Sequence, residues 1–413
     1  MTETSGTRGL SHRLVPMRGR DPEEPHRAAT PLELLFDLVF VVAVGIASST
    51  FAHSLGEAHW ASAILAFAFV MYAIVWAWFG WTTFASAFDT DDWLYRLLTM
   101  LQMCGVVVLA LGVPPVFSSL DAGQVVDNRV LVLGYVIMRI AMALQWLRVS
   151  RGPYRRVAHT HIATIVIAQA GWILTAILPL PLPALLALIA VLYAVELGGP
   201  ALAERRQATP WHAHHLAERF GLLTIIMLGE CVVGTIAAVS AAVGEQGWTL
   251  DAALVTFAGV GLTFGMWWIY FIVPHAETLE RRRGAAIRWA YGHFAIFAPI
   301  AAVGAGLDVG AYEIEGKNVI GPIESILTVA VPLAIYLIVL FWFYRMLSGS
   351  SGPYAWMLVG ALVVIAAAVA IVAAGVPFTV GLAILTLAPV VVIVGDEVIG
   401  HRHREAHVAR LES

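Results

Sequence analysis

The chain has 413 residues, of which 60% are hydrophobic and 13% charged, with a mean hydropathy of +0.81. A soluble protein of this length cannot cover so much apolar side chain, so the composition excludes a water-soluble domain and predicts an all-α, polytopic integral membrane protein. The net charge of −4, with no basic domain, argues against a nucleic-acid partner.

Apolar runs continue for about 20 residues without alternation, the pattern of spanning helices and not of a barrel. Residues 1–29 are polar and rich in Arg, Pro and Gly, and predict a disordered cytoplasmic N-terminal tail. No cleavable signal is read there, so the first span is expected to act as its own insertion signal.

The first span, 33–55, opens on Thr30-Pro31-Leu32-Glu33-Leu34-Leu35-Phe36-Asp37. Thr30 at the N-cap, Pro31 at N1 and Glu33 at N3 form a capping box, with the carboxylate favoured by the helix dipole. Asp37 lies one turn deeper, about 6 Å at 1.5 Å per residue, and cannot cap the same end. An acid near the centre of a span costs roughly 2.5–3.5 kcal/mol on insertion scales, so Asp37 needs a partner or a water path.

Five further spans follow at 60–82, 92–112, 129–148, 159–178 and 183–199, closing a first six-helix repeat over 30–200. Arg139 lies near the middle of the fourth. A cytoplasmic linker, 201–213, leads to a second repeat over 214–398. Its spans are 216–243, 251–273, 287–307, 319–346, 354–374 and 377–395, and a cytoplasmic tail, 399–413, ends the chain. Pro179, Pro181 and Pro183, then Gly375 and Pro377, leave the sixth and twelfth spans open to a re-entrant alternative.

Glu230 falls near mid-bilayer in the seventh span, at the depth of Arg139. The pair is expected to form either an ion pair between the halves or a carboxylate site with a resident counter-ion. His293, a third of the way into the ninth span, matches Asp37 in depth. It is either a satisfied packing residue or a proton relay with Asp37, since its unperturbed pKa is about 6.5. Glu324, one turn inside the outer end of the tenth span, either guards an outer mouth or caps.

Cys104 and Cys231 lie inside spans and read as small packing residues. Histidines gather at His159 and His161, at His212, His214 and His215, and at His401, His403 and His407. These spacings reproduce no known di-iron set, so they are expected to be interfacial, with no metal or other cofactor. Gly261 and Gly265, like Gly306 and Gly310, have the spacing of helix contacts.

With the N-terminus inside, every one of the 24 Lys and Arg falls on the cytoplasmic side except Arg129, Lys317 and the intramembrane Arg139. That asymmetry predicts both termini inside and an even number of spans. The halves also resemble each other. Leu147-Arg148-Val149-Ser150 and Gly152-Pro153-Tyr154 after span four match Arg345-Met346-Leu347-Ser348 and Gly352-Pro353-Tyr354 after span ten. Glu196 and Glu397 end spans six and twelve. Six plus six spans predict parallel repeats about an axis along the membrane normal, an arrangement that in transporters encloses a midplane site.

Glu33-Leu34-Leu35-Phe36-Asp37-Leu38-Val39-Phe40 resembles the opening signature of the bacterial low temperature requirement protein A (LtrA) family. Glu218-Arg219-Phe220-Gly221 through Leu228-Gly229-Glu230, and Arg288-Trp289-Ala290-Tyr291-Gly292-His293, resemble its central and third blocks. The resemblance covers roughly residues 30–400. It implies an integral membrane protein linked by name to growth in the cold, and carries over no biochemical activity. The Phe36-Asp37 entry and the 6+6 plan are also similar to potassium channels with paired six-helix repeats, without the full entry motif. The expectation is a transporter or permease in the bacterial cytoplasmic membrane, with Asp37, Glu230, Arg139, His293 and Glu33 forming a site for a small cation or proton. A passive cation channel and a membrane oxidoreductase are the alternatives, and oligomeric state is not readable.

Overall fold

A computed structural model describes residues 14–24, 27–123, 125–244, 247–317, 319–348 and 354–400. All regular elements among them are helical. Twelve are long and apolar enough to cross a membrane: α1 (Pro31–Gly56), α2 (Trp60–Phe88), α3 (Trp93–Asp121), α4 (Arg129–Val149), α5 (Arg155–Ile177) and α6 (Leu182–Arg206) in the first half. The second half holds α7 (Ala213–Val243), α8 (Leu250–Arg281), α9 (Arg283–Glu315), α10 (Pro322–Leu347), α11 (Tyr354–Ala373) and α12 (Phe378–Gly400). The protein is therefore a multi-pass membrane protein in a lipid bilayer. The sixth candidate is a continuous helix of 25 residues, and the twelfth is a span of 23 residues interrupted at Thr386 and ending in a π-helical turn. His401, His403 and His407 lie outside the described residues, as do Gly352 and Pro353 of the repeated motif and most of the C-terminal tail.

Local chemistry sets the helix starts. Thr30 and Glu33 form the reciprocal capping box, with Thr30 N–H to Glu33 Oε2 at 2.7 Å and Glu33 N–H to Thr30 Oγ1 at 3.3 Å. Asp92 caps α3 by accepting from the Tyr95 N–H, and Thr249 caps α8 by accepting from the Ala252 N–H. Pro181 and Pro183 suit the start of α6, where the first helical N–H groups need no intrahelical partner.

The chain divides into two compact units whose boundaries fall inside α1, α2, α3 and α7. The first holds 1–40, 76–112 and 125–216, and the second 41–75, 113–124 and 217–413. In the first, α3 and α4 touch backbone to backbone: a methyl added at Gly134 would lie 2.2 Å from the Leu109 nitrogen. Trp78, Trp81, Tyr95, Phe84 and Phe88 fill its interior, and Trp146 meets Phe84 and Phe88 edge-on. In the second, α7 and α9 make the equivalent contact, a methyl at Gly234 lying 2.3 Å from the Gly304 oxygen. Gly306 and Gly310 also sit in close contacts, against Thr328 and Phe378, as their spacing led us to expect.

The stretch 14–29, read from the sequence as disordered, is held in place over its described residues. The Val15 N–H donates to Asp92, the Arg20 N–H to the Ala87 carbonyl, and the buried Arg27 guanidinium to the Ala85 carbonyl at 2.8 Å and to the Ser86 carbonyl. Arg27 thus satisfies the Ser86 carbonyl near the end of α2 and adds a second donor to the Ala85 carbonyl, which also accepts from the Asp89 N–H. Its desolvation lowers its own pKa, with Glu33 and Asp89 opposing. Gly19, at φ +85°, makes the turn that brings this strap against Tyr154 and Pro210, a conformation that a residue with a Cβ resists.

Candidate functional site

In the first unit, the entry to α1 carries two buried carboxylates with separate partners. Glu33, besides completing the capping box, meets His215 Nε2 at 3.1 Å, so the cap of α1 is joined to the start of α7. Asp37 is fully buried and accepts from the Trp78 indole N–H at 2.7 Å. Phe36 stacks on Trp81 with centroids 3.8 Å apart, walling this entry with rings. His212 completes the α7 start. Its Nε2–H donates to the Glu24 carbonyl at 2.8 Å, which leaves Nδ1 to accept from the His215 N–H.

Arg139, the intramembrane cation, pairs with Glu196 on α6 and not with Glu230 as depth alone suggested. Its Nη2 lies 2.9 Å from Glu196 Oε2, and both residues are buried. The Glu196 carboxylate also accepts from the Tyr135 hydroxyl at 2.8 Å and from the indole N–H groups of Trp76 and Trp172. Four donors around one carboxylate are what a charge needs to be buried tolerably. Arg139 in addition lies over the Tyr135 ring, 4.8 Å from its centroid. Sequence reading had noted Glu196 only as the end of a span.

Glu33, Asp37 and Arg139 belong to the first unit, Glu230 and His293 to the second. His293 sits in a box of rings formed by Phe220, Tyr270, Trp289, Phe297 and Phe343. Its Nδ1 meets the Trp289 carbonyl at 2.9 Å and its Nε2 the Tyr270 hydroxyl at 2.9 Å. A carbonyl only accepts, so Nδ1 bears the proton and Nε2 accepts from Tyr270. Both nitrogens are then used, which matches the packing alternative for this residue.

Glu230, near the middle of α7, is buried against glycines on two neighbouring helices. A methyl on Gly45 of α1 would stand 3.2 Å from its Oε1, and one on Gly304 of α9 would stand 2.7 Å from its carbonyl carbon. Asp308, one turn beyond Gly304, is close enough to act on Glu230 electrostatically. Among the described residues, no Arg, Lys or His lies within ion-pair distance of either carboxylate. Asp308 was not singled out from the sequence because the ninth span was ended at 307, whereas α9 runs to Glu315.

At the helix ends the acids behave differently. Burial opposes the charge of Asp92, but the N–H groups of Tyr95 and Val15 and the Arg148 guanidinium hold its carboxyl below the usual carboxylate range. Burial, reinforced by Glu33, pushes Asp89 up to about 6, although Arg20 stands 3.6 Å away.

Among the described residues no three His, Cys, Asp or Glu side chains converge to hold a metal. His161 stacks on Trp146 at 4.0 Å, and Cys231 is buried with its thiol toward the Ile300 carbonyl. Arg219, counted from the sequence among the charges on the cytoplasmic side, is fully buried.

The family described as Bacterial low temperature requirement A protein (LtrA) matches residues 28–394. An uncharacterized protein of Rhizobium meliloti (strain 1021) is 27% identical over 319 residues, covering 70% of this chain and 73% of the relative. No solved structure matches the chain. The chain belongs to the bacterial low temperature requirement A family.

Proposed function

We propose that this low temperature requirement A family member is a carrier for a small cation or a proton-coupled solute, with Glu230 and Asp308 as its exchanging carboxylates. The observation that carries the reading is the placement of these two acids on two spans of one unit that touch at Gly304, with Asp308 one turn beyond it and no basic partner among the described residues. A buried charge at membrane depth without a counter-ion is costly, and a bound cation or a shared proton offsets that cost. Gly45 and Gly304 let α1 and α9 approach Glu230 closely, with no side chain of their own between. Within the first unit we assign a third acid, Asp37, to the same function, with Glu33 at the capped end of α1 beside it. Arg139, tied to Glu196, is a fixed element of the first unit, and His293 positions the aromatic box of α9 in the second.

The charge asymmetry supports both termini on the cytoplasmic side of the bacterial cytoplasmic membrane, and the matched motifs support two parallel six-helix repeats. The test is flux in proteoliposomes under an imposed pH or cation gradient. Glu230→Gln and Asp308→Asn are expected to abolish it while folded yield stays intact. Normal flux in both variants defeats the reading, and currents that need no second gradient turn it toward a passive channel.

A further inference from the structure

Four arginines on the arginine-rich side of the first unit lack the partners that others there possess. Arg20 pairs with Glu24, Arg96 with Asp91 and Arg148 with Asp92. Arg151, Arg155, Arg156 and Arg206 line one open groove of about 620 Å³, and among the described residues no carboxylate lies within ion-pair distance of any of them. The nearby acid Glu204 is turned away, accepting from the Thr209 N–H at 3.0 Å.

The groove is framed by fixed groups. Gln207 donates from Nε2 to the Pro153 carbonyl at 2.9 Å and accepts from the Val157 N–H, tying the α4–α5 loop to the end of α6. The Arg206 guanidinium is steered by a bond to Thr160 Oγ1 at 3.2 Å. Arg155 and Arg156 also occupy the first turn of α5, a helix of 23 residues with no side-chain cap at Tyr154. Positive side chains at the positive end of a helix dipole repel, and an anion there relieves both.

The groove does not end at the arginines. Arg156 and Arg206 are shared with a second groove that runs between α5 and α6 over His159, Ala163, Ile167 and Leu202. Ile167 and Leu202 are exposed on the apolar flank of these helices. From Arg156 to Ile167 the helix rises about 16 Å at 1.5 Å per residue. A guanidinium mouth continuous with an apolar channel fits a molecule with an anionic head and a hydrocarbon tail.

We infer that the α5–α6 crevice is a binding site for an anionic phospholipid, whose phosphodiester is held by Arg156 and Arg206 with Arg151 and Arg155 beside it and whose acyl chain lies along Ala163, Ile167 and Leu202. Guanidinium groups grip a phosphodiester through paired N–H bonds, and basic pockets between membrane helices are suited to such heads.

The test is native mass spectrometry of the full chain in a non-ionic detergent, titrated with phosphatidylglycerol, with phosphatidylcholine of the same acyl chains, and with inorganic phosphate. Phosphatidylglycerol is expected to be retained at least about tenfold better than phosphatidylcholine. Arg156→Gln with Arg206→Gln should weaken it by about tenfold or more, whereas Arg281→Gln with Arg282→Gln, outside the groove, should leave it unchanged. If the glutamine pair does not fold, Arg156→Lys with Arg206→Lys is read instead and should give a smaller but clear loss, since the charge stays and the fork is gone. Equal binding of the two lipids, undiminished binding in the groove variants, or phosphate binding as tightly as phosphatidylglycerol would each overturn the assignment.

Discussion

Arg139 on α4 and Glu196 on α6 form a buried ion pair at 2.9 Å, and the carboxylate is further held by Tyr135, Trp76 and Trp172. Removing either partner strands a charge in a low-dielectric interior. Arg139→Leu is therefore expected to destabilise the folded chain by about 3–5 kcal/mol, while Arg139→Leu combined with Glu196→Leu recovers most of that loss. Thermal unfolding of the detergent-solubilised protein measures both. A single variant as stable as the parent would show that the pair does not help to hold the fold.

Asp37 draws one of its hydrogen bonds from the Trp78 indole. Trp78→Phe keeps most of the ring volume and deletes the donor, so it should cost about 1–3 kcal/mol. Because the two side chains share that bond, the Trp78→Phe and Asp37→Asn effects should not add, and the shortfall is expected to exceed about 0.5 kcal/mol. A double-mutant cycle on unfolding midpoints reads the coupling directly.

Asp89 sits outside the spans with its carboxyl pushed up from 3.8 to about 6 by burial and by Glu33. Between those values the folded chain holds a proton that the unfolded chain releases. Its contribution to stability therefore falls as pH rises from 3.8 to about 6. Asp89→Asn removes this term, so the variant's unfolding midpoint should decline less than the parent's across that window. Parallel declines would mean that the carboxyl titrates in its ordinary range.

Gly304 meets the Glu230 backbone where α7 and α9 cross. Gly304→Ala would place a methyl 2.7 Å from the Glu230 carbonyl carbon, and backbone cannot yield as a side chain would. We expect a loss of about 1–3 kcal/mol, the usual range for overpacking. Gly284→Ala, with open space around it, serves as the control. Under the proposed function, Gly304→Ala should also depress flux more than Gly284→Ala at equal amounts of folded protein.

The sequence revealed what periodicity and end chemistry encode. The twelve spans, the capping box at Thr30 and Glu33, and the close-packing glycines follow from apolar run length, cap residues and small side chains. Arg139 was recognisable as needing a partner, but its choice of Glu196 was not. Both α4 and α6 are apolar nearly all round, so no stripe tells which faces meet. Asp308 escaped for a simpler reason. Ending the ninth span at 307 moved it into a loop, where an acid needs no explanation. The strap 14–29 looked like a tail because its polar composition fits both a disordered segment and one whose anchors are polar, such as Arg27 on the end of α2.

The bond between Glu33 and His215 also bears on how the protein is made. The two residues are 182 positions apart, so the opening helix enters the membrane long before its histidine exists. At about 5–20 residues per second, the ribosome takes on the order of ten seconds or more to supply it. During that interval the nascent chain carries an acid at its first helix end that only the capping hydroxyl and N–H groups steady. Chains arrested before residue 213 should accordingly be cleared by membrane proteases faster than chains arrested just after α7 has formed.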